Sequence, residues 1–336
     1  MFMVVFTIML SSFAFYTWQI LFTPNLLVDA EDRLLMIPKG STFRDVQNKL
    51  YDQGFVQDPV SFGFLARLKD YDKLVKPGLY QLEKDMTNLE AINLLRSGTQ
   101  TPVQLTFTNA RKLNELPEKI ANFMEFSEEE MAEVLLADTT PGHYGFDSVT
   151  FIAMFIPNTY EVYWTATPKE ILDRLKNEYD RFWNEEREKK AEKIGLTPVE
   201  VSTLASIVEA ETNKMDEAPT IAGVYLNRLE KGYKLQADPT LVYALNDFSI
   251  RRVLNVHKQV ESPYNTYKYS GLPPGPINMP SIPAINSVLN YESHNYLYFV
   301  AKADFSGYHA FSRNLIEHNR KAREFQKALN KERIFR

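Results

Sequence analysis

The stretch "LASIVEAET", residues 204–212, sets two carboxylates, Glu209 and Glu211, into a run of Leu, Ile and Val. Carboxylates in such a place suit glycosidic chemistry in one of two forms: an opposed acid and base, or a single acid working alone. The spacing speaks against the pair, because residues two apart on a helix do not face each other. Gly195 ends one predicted helix; Thr197 caps the next, Pro198 takes its first position and Glu200 completes a capping box. Val201, Leu204, Ala205 and Val208 then recur at i, i+3, i+4 and i+7 as the buried face. At about 100° per residue, and with Ile207 in the apolar set, Glu211 falls roughly 50° from the centre of the stripe and Glu209 roughly 110° from it. A carboxyl held against apolar surface resists ionisation, so its pKa rises. A carboxylic acid still protonated near neutral pH is what a general acid requires. The structural alternative for Glu211 is a buried acid paired with a cation such as Arg228.

The elements that must position this chemistry follow the helix in three blocks, 222–245, 262–277 and 295–319. The first reads as a helix with Val224, Tyr225, Leu226 and Leu229 inward, then "LQADPT", where Asp238 is expected to cap the turn at Pro239. Gln236 and Asp238 either contact a ligand or fix this turn. In the second, Pro263, Pro273, Pro274 and Pro276 set backbone dihedrals, while Gly271 and Gly275 permit sharp reversals. Long irregular loops of this kind are usually functional. Tyr264, Asn265, Tyr267 and Tyr269 on it either stack on sugar faces and bind hydroxyls, or pack beneath a sheet. The third block holds a strand, "YLYFVA", and a hairpin, "DFSGYHAF", with His309 either lining a cleft or simply exposed.

Upstream, Met1 to Val28 carry no ionisable side chain, and residues 2–22 alone would span about 30 Å as a helix, the thickness of a hydrocarbon core. The run is longer than a signal-peptide core and lacks a small-x-small cleavage site. Trp18 suits a membrane interface. A retained single-pass anchor is therefore expected, followed by the polar exit "DAEDRLL". Residues 36–98 form a compact α/β unit in strand–helix–helix–strand order, with Leu34–Ile37 a short strand and "VKPGLYQL" a turn then a strand. Thr42 caps a helix bearing Val46, Leu50 and Tyr51, and Thr87 or Asn88 caps another that Gly98 closes. That order resembles a LysM-like glycan-binding module, a small structural domain being the other reading. A strand over 102–110 and mainly helical sequence over 111–193 follow, the charge runs there being solvated helix faces.

Composition removes several classes. With no cysteine, a thiol nucleophile, a disulfide framework and a zinc–thiolate site are excluded. A net charge of −5 gives no electrostatic reason to expect nucleic acid. His143, His257, His294, His309 and His318 show no metal-ligand spacing, and Ser206 has no G-x-S-x-G context. No metal and no cofactor are expected.

The blocks "SIVEAET", "NRL", "LQADPT", "SPYNTY", "GLPPGPI", "YLYFVA", "GYHAFS" and "EHN" stand in the order found in the YceG-like family of endolytic murein transglycosylases, which the chain resembles over nearly its whole length. "FIPNTY" departs from the family, where Asp is commoner at the position of Asn158. The resemblance implies an α+β protein: a transmembrane anchor (1–28), a LysM-like module (31–104) and a YceG-like catalytic domain (105–336). It implies a lyase that cuts peptidoglycan glycan strands internally between MurNAc and GlcNAc, leaving 1,6-anhydroMurNAc ends. The family's essential glutamate matches Glu211. Glu209, Asp238 and Asn265 are candidates to support the transition state, and Gln236, Tyr264 and Tyr267 to hold the glycan. The resemblance also implies a single-pass protein of the bacterial inner membrane with its catalytic domain in the periplasm, working beside the penicillin-binding synthases. Two alternatives remain at this point: a non-catalytic glycan-binding scaffold, and a hydrolase that uses water with Asp238 as a distant base.

Overall fold

The computed structural model describes residues 2–26, 33–108 and 110–332. Residues 29–32 of the polar exit "DAEDRLL", and Asn109 near the end of the predicted strand 102–110, lie outside the described residues, while the last three residues of that exit belong to a strand. The chain is mixed α+β and divides into two compact units, residues 1–105 with 120–127 and 159–167, and residues 106–119 with 128–158 and 168–336.

The first unit opens with α1 (Phe2–Phe22), an uninterrupted apolar helix long enough to cross a membrane by length and composition. It continues through β1 (Arg33–Ile37), α2 (Phe43–Asp52), α3 (Pro59–Leu68), β2 (Gly78–Leu82) and α4 (Asn88–Ser97). β1 and β2 pair antiparallel, Arg33 opposite Leu82 and Ile37 opposite Gly78. Leu35, Ile37, Tyr80 and Leu82 face the core and meet Val46, Leu50, Phe62 and Ile92 from the helices. The helix starts are local consequences of sequence. Thr42 with Asp45 and Thr87 with Glu90 each form a complete capping box, satisfying the amides that a first turn leaves open. Gly98, at φ +75°, takes the left-handed conformation that ends α4. Tyr51 corrects one expectation: it is 63% exposed, because the buried stripe of α2 runs through Val46 and Leu50 alone. A further strand, β3 (Val103–Phe107), pairs with β4 (Asn158–Val162), most of each strand belonging to this unit.

The second unit is mainly helical. It contains α5 (Leu116–Ala121) in part, α6 (Glu128–Leu135) and α7 (Thr140–His143). Then come α8 (Pro168–Phe182), α9 (Glu185–Lys193), α10 (Pro198–Glu211), α11 (Ala218–Glu230), α12 (Asp238–Leu245) and α13 (Ile282–Leu289). The chain ends in the hairpin β5 (Tyr298–Ala301) and β6 (His309–Ser312), with α14 (Leu315–Lys331) against it. The charged run of α9 is a solvated face carrying Lys189–Glu185 and Lys190–Glu186 pairs one turn apart.

α10 is the centre of this unit, packed by α9, α11, α12 and α13. It starts as expected: Gly195 at φ +72° ends the preceding helix, and Thr197 and Glu200 close the capping box around Pro198. Its interior is buried on every side from Val201 to Val208, where the sequence periodicity gave only one face. The polar residues among them are accommodated by bonding back. Ser202, Thr203 and Ser206 donate to the carbonyls of Pro198, Val199 and Thr203 at 3.0, 2.8 and 2.7 Å. α11 approaches the 292–294 segment so closely that a Cβ on Gly223 would lie 2.5 Å from the Glu292 carbonyl oxygen. Glycine is required there by backbone approach.

Candidate active site

α10 surfaces at its last turn, and there its two glutamates diverge. Glu209 Oε2 accepts from the Ser281 amide at 3.1 Å, fastening α10 to the N-cap of α13. Glu211, the final helical residue, accepts at Oε1 from the Tyr225 hydroxyl of α11 at 2.7 Å. Two cavities, of about 340 and 380 Å³, adjoin at this point: Glu211 and Asp238 line both, and Glu209 lines neither. The first is walled by Tyr225, Arg228, Gln236, Tyr267, Phe299 and His309. The second is walled by Arg111, Tyr243, Phe248, Arg251 and Asn278.

Burial pushes the Glu211 carboxyl up to about 7. The hydrogen bond from Tyr225 opposes that rise, the negative charge of Asp238 adds to it, and the Arg228 guanidinium opposes it. The ion pair between Glu211 and Arg228 that the sequence left open is not formed. Arg228 is buried and its donors go mainly to backbone: Nε to Leu297 O at 2.6 Å, and a terminal nitrogen to Leu235 O at 2.7 Å, Lys234 O at 3.2 Å and the side-chain oxygen of Gln236 at 3.4 Å. Its guanidinium carbon lies 5.1 Å from the centre of the Tyr298 ring. Arg228 therefore holds the wall of the first cavity and acts on the acid through its charge, without a direct ion pair.

Asp238 is the first residue of α12 and not a cap: Ala237 occupies the N-cap position, and the Asp238 carboxylate accepts from the Tyr267 hydroxyl at 2.6 Å. That bond closes the 262–277 loop over α12. Gln236 sits beside them at φ +53°. The loop's other candidates have different places. Asn265 is fully buried; its amide donates to the carbonyls of Lys258 and Val260 at 3.0 and 2.8 Å, and its oxygen accepts from the amides of Tyr267 and Lys268 at 3.0 and 3.2 Å. Every polar position of Asn265 is thus used to hold the loop, which replaces the expected sugar contact. Tyr264 packs on Tyr243 with ring centres 4.7 Å apart, and lines neither cavity. Asn158, where the sequence departs from the family pattern, is exposed at the start of β4 and lines neither cavity.

Sequence reasoning passed over two features of the site. Tyr225 was read only as core, although a buried phenol needs a polar partner, and that partner is Glu211. The other is a second acid, Glu217, 6% exposed just before α11. It accepts from the Thr212 hydroxyl at 2.8 Å, the His309 amide at 2.9 Å and His309 Nδ1 at 2.7 Å. Held at both its amide and Nδ1, His309 has its ring fixed in orientation against Glu217. This pair ties the hairpin to the end of α10, and His309 forms part of the first cavity.

Comparison with known proteins agrees with this architecture. The YceG-like family model matches residues 35–324. An endolytic murein transglycosylase of Streptococcus pneumoniae serotype 2 is 28% identical over 357 aligned positions, covering 95% of this chain. The chain spans 64% of that relative's length. An endolytic murein transglycosylase of Bacillus subtilis is 29% identical, with 86% of this chain and 83% of the relative covered. A crystal structure of a YceG-like protein from Listeria monocytogenes superposes with a TM-score of 0.55 at 25% identity, over 86% of this chain and 99% of that one. A match running from β1 into α14, with Glu211 and its cavities inside it, leads to one conclusion: the chain belongs to the YceG-like family.

Proposed function

We propose that the protein is an endolytic peptidoglycan lytic transglycosylase whose single acid–base group is Glu211. The observation that carries this reading is an acid raised to about 7 where two cavities adjoin. An acid so placed is about half protonated at neutral pH, against almost none for an ordinary carboxylic acid, and the two cavities give room for sugar units before and after the bond to be cut. Protonated Glu211 donates to the glycosidic oxygen between MurNAc and GlcNAc as the C1–O bond breaks. The resulting carboxylate takes the proton from the MurNAc 6-hydroxyl as O6 bonds to C1, giving the 1,6-anhydro end and regenerating the acid. The nucleophile belongs to the substrate and is already positioned, so the step is effectively unimolecular. Asp238 supplies negative charge next to an oxocarbenium-like centre, and Tyr267 fixes its carboxylate. Gln236 and Tyr267 are the sugar-contacting residues of the first cavity. Residues 31–104 form the LysM-like module, 105–336 the catalytic domain, and α1 anchors both with the site on the outer side of the cytoplasmic membrane. Action beside the penicillin-binding synthases rests on the family resemblance.

A second reading has a specific observation in its favour: Asp238 lines both cavities with Glu211, where a carboxylate could activate water. Mass spectrometry of products from uncrosslinked glycan strands separates the two. New ends lighter by one water, absent with Glu211→Gln and present with Glu209→Gln, support the lyase. Reducing ends that retain the water support the hydrolase, and no cleavage by the wild type removes both.

A further inference from the structure

We propose that the outer face of α3 lies in the lipid headgroup–acyl boundary of the membrane that α1 enters, so that the first unit rides on the bilayer as an interfacial module. The inference rests on the reading of α1 as an anchor and adds a second, separate membrane contact.

The joint between α1 and the module is rigid. Ile20, 8% exposed, belongs to the same apolar cluster as Val46, Phe62 and Ile92, and Leu21 packs against that cluster. The Ile20 carbonyl accepts from Asn88 Nδ2 at 3.2 Å. Beyond the helix, buried Asn25 is held from both sides. Its amide nitrogen donates to Asn88 Oδ1 at 2.7 Å and to Asp58 O at 2.9 Å, and its side-chain oxygen accepts from the Asp58 amide at 2.7 Å. Its backbone amide bonds Met86 O and its carbonyl accepts from the Gln57 amide. Bridges at Pro24–Thr87 and Leu26–Val56 complete the joint.

This joint sets what lies beside the membrane end of α1. α3 packs on α1, and its N-cap, Asp58, is tied directly to Asn25 just past the end of that helix. One side of α3 is core: Phe62, Leu65 and Ala66 are buried. The opposite side presents Val60, Phe64 and Leu68 at 74%, 59% and 68% exposure, at i, i+4 and i+8, along the whole helix. Single exposed apolar residues are ordinary, but a continuous stripe marks an interaction surface. Of the charges near α3, Asp58 is engaged as its N-cap and Asp70 is paired with Lys73, while Arg67 and Lys69 flank Leu68, which suits anionic headgroups. The tie of α3 to the end of α1, which is itself read as entering the membrane, selects lipid as the occupant over a second copy or another protein.

Because the chain has no cysteine, a single introduced one is unique. The full chain carrying bimane at Phe64→Cys, or at Phe13→Cys within α1, would be reconstituted in vesicles of phosphatidylglycerol and phosphatidylethanolamine with brominated acyl chains. Lipid quenching of roughly half the signal at both positions, with Phe64→Cys protected from aqueous iodide, is the expected result. Quenching at position 13 with full iodide access at 64 overturns the interfacial contact and leaves the anchor standing. Protection at 64 from both quenchers means a protein covers the stripe, and also overturns it. No lipid quenching at position 13 removes the anchor and this inference together.

Discussion

Two acids six residues apart, Glu211 and Glu217, are both taken out of bulk water, and the structure treats them in opposite ways. Glu217 is met by three donors, the Thr212 hydroxyl and two nitrogens of His309. Glu211 is met by one, the Tyr225 hydroxyl, and faces the like charge of Asp238. A carboxylate met by three donors locks chain segments together. A carboxylate left with one donor in a partly desolvated place is close to balance between its two protonation states, which an acid that must give and then take a proton needs. The region around Glu217 is built for stability, and the region around Glu211 gives stability up.

The largest expected effect tests that asymmetry at its centre. Glu211→Gln is expected to lower the rate of glycan cleavage by about 10³-fold, within the range of general acid–base catalysis. It is also expected to leave the fold intact, because the amide oxygen can still accept from Tyr225. Its stability has a definite pH signature. The folded pKa of about 7 lies above the ordinary value of 4.5, so protonation favours the native state. That contribution is whole below about pH 4.5, declines as pH rises and is gone above about 7. The variant lacks this decline, so above pH 7 it should be the more stable protein, by up to about 3 kcal/mol. Denaturant titration of both proteins at acid and alkaline pH measures it. A Glu211→Gln protein less stable than wild type at alkaline pH would break the comparison.

Glu217→Ala should show the reverse. Three donors lose their acceptor in a buried site, which costs about 3 kcal/mol, and Glu217→Gln should recover part of it because an amide oxygen still accepts. Activity of Glu217→Ala, assayed in the cold where it remains folded, should stay within about tenfold of wild type, since His309 is loosened and not removed. Thermal unfolding beside initial rates reads both quantities. A 10³-fold loss of rate with unchanged melting temperature would move Glu217 into the chemistry.

Why one acid was visible in the sequence and the other was not follows from where their partners lie. The direction of Glu211 depends on its own helix: the apolar stripe from Val201 to Val208 places it, and the capping box at Thr197 and Glu200 sets the register. The same locality made α1 and the starts of α2 and α4 legible. Glu217 owes its role to His309, 92 residues further on, and Tyr225 owes its role to a carboxylate on another helix. Nothing in local periodicity encodes such pairings. The 262–277 loop shows the opposite failure. Its tyrosines and asparagine have the composition of a sugar site, but composition does not say which side chains turn inward, and Asn265 spends all its hydrogen bonds on the loop itself. The exposed side of α3 was missed for a related reason, since its apolar residues occupy both faces and only packing reveals which face is left over.

A smaller effect comes from the charge that leans on Glu211. Asp238→Asn removes a like charge that raises the Glu211 pKa, while its amide oxygen can still accept from Tyr267. The alkaline limb of the pH–rate profile should therefore move to lower pH, and the rate at neutral pH should fall by about tenfold, part of it from lost transition-state charge. A loss near 10³-fold at every pH, equal to that of Glu211→Gln, would instead make Asp238 an obligatory base and favour the hydrolase.

The smallest effect is the most discriminating about how Glu211 is tuned. In Tyr225→Phe the one donor is gone and the ring is kept, edge-on to Phe299 with centres 5.8 Å apart. The hydrogen bond from Tyr225 stabilises the ionised carboxylate, so its loss raises the Glu211 pKa further. The alkaline limb should then move to higher pH, opposite to Asp238→Asn. Below that limb the rate should change only about threefold, because the acid remains protonated and only its orientation is loosened. Measured together, the two variants separate field from hydrogen bond at one carboxyl: limbs that move apart identify Glu211 as the titrating acid, whereas limbs that move together, or not at all, assign the profile to another group.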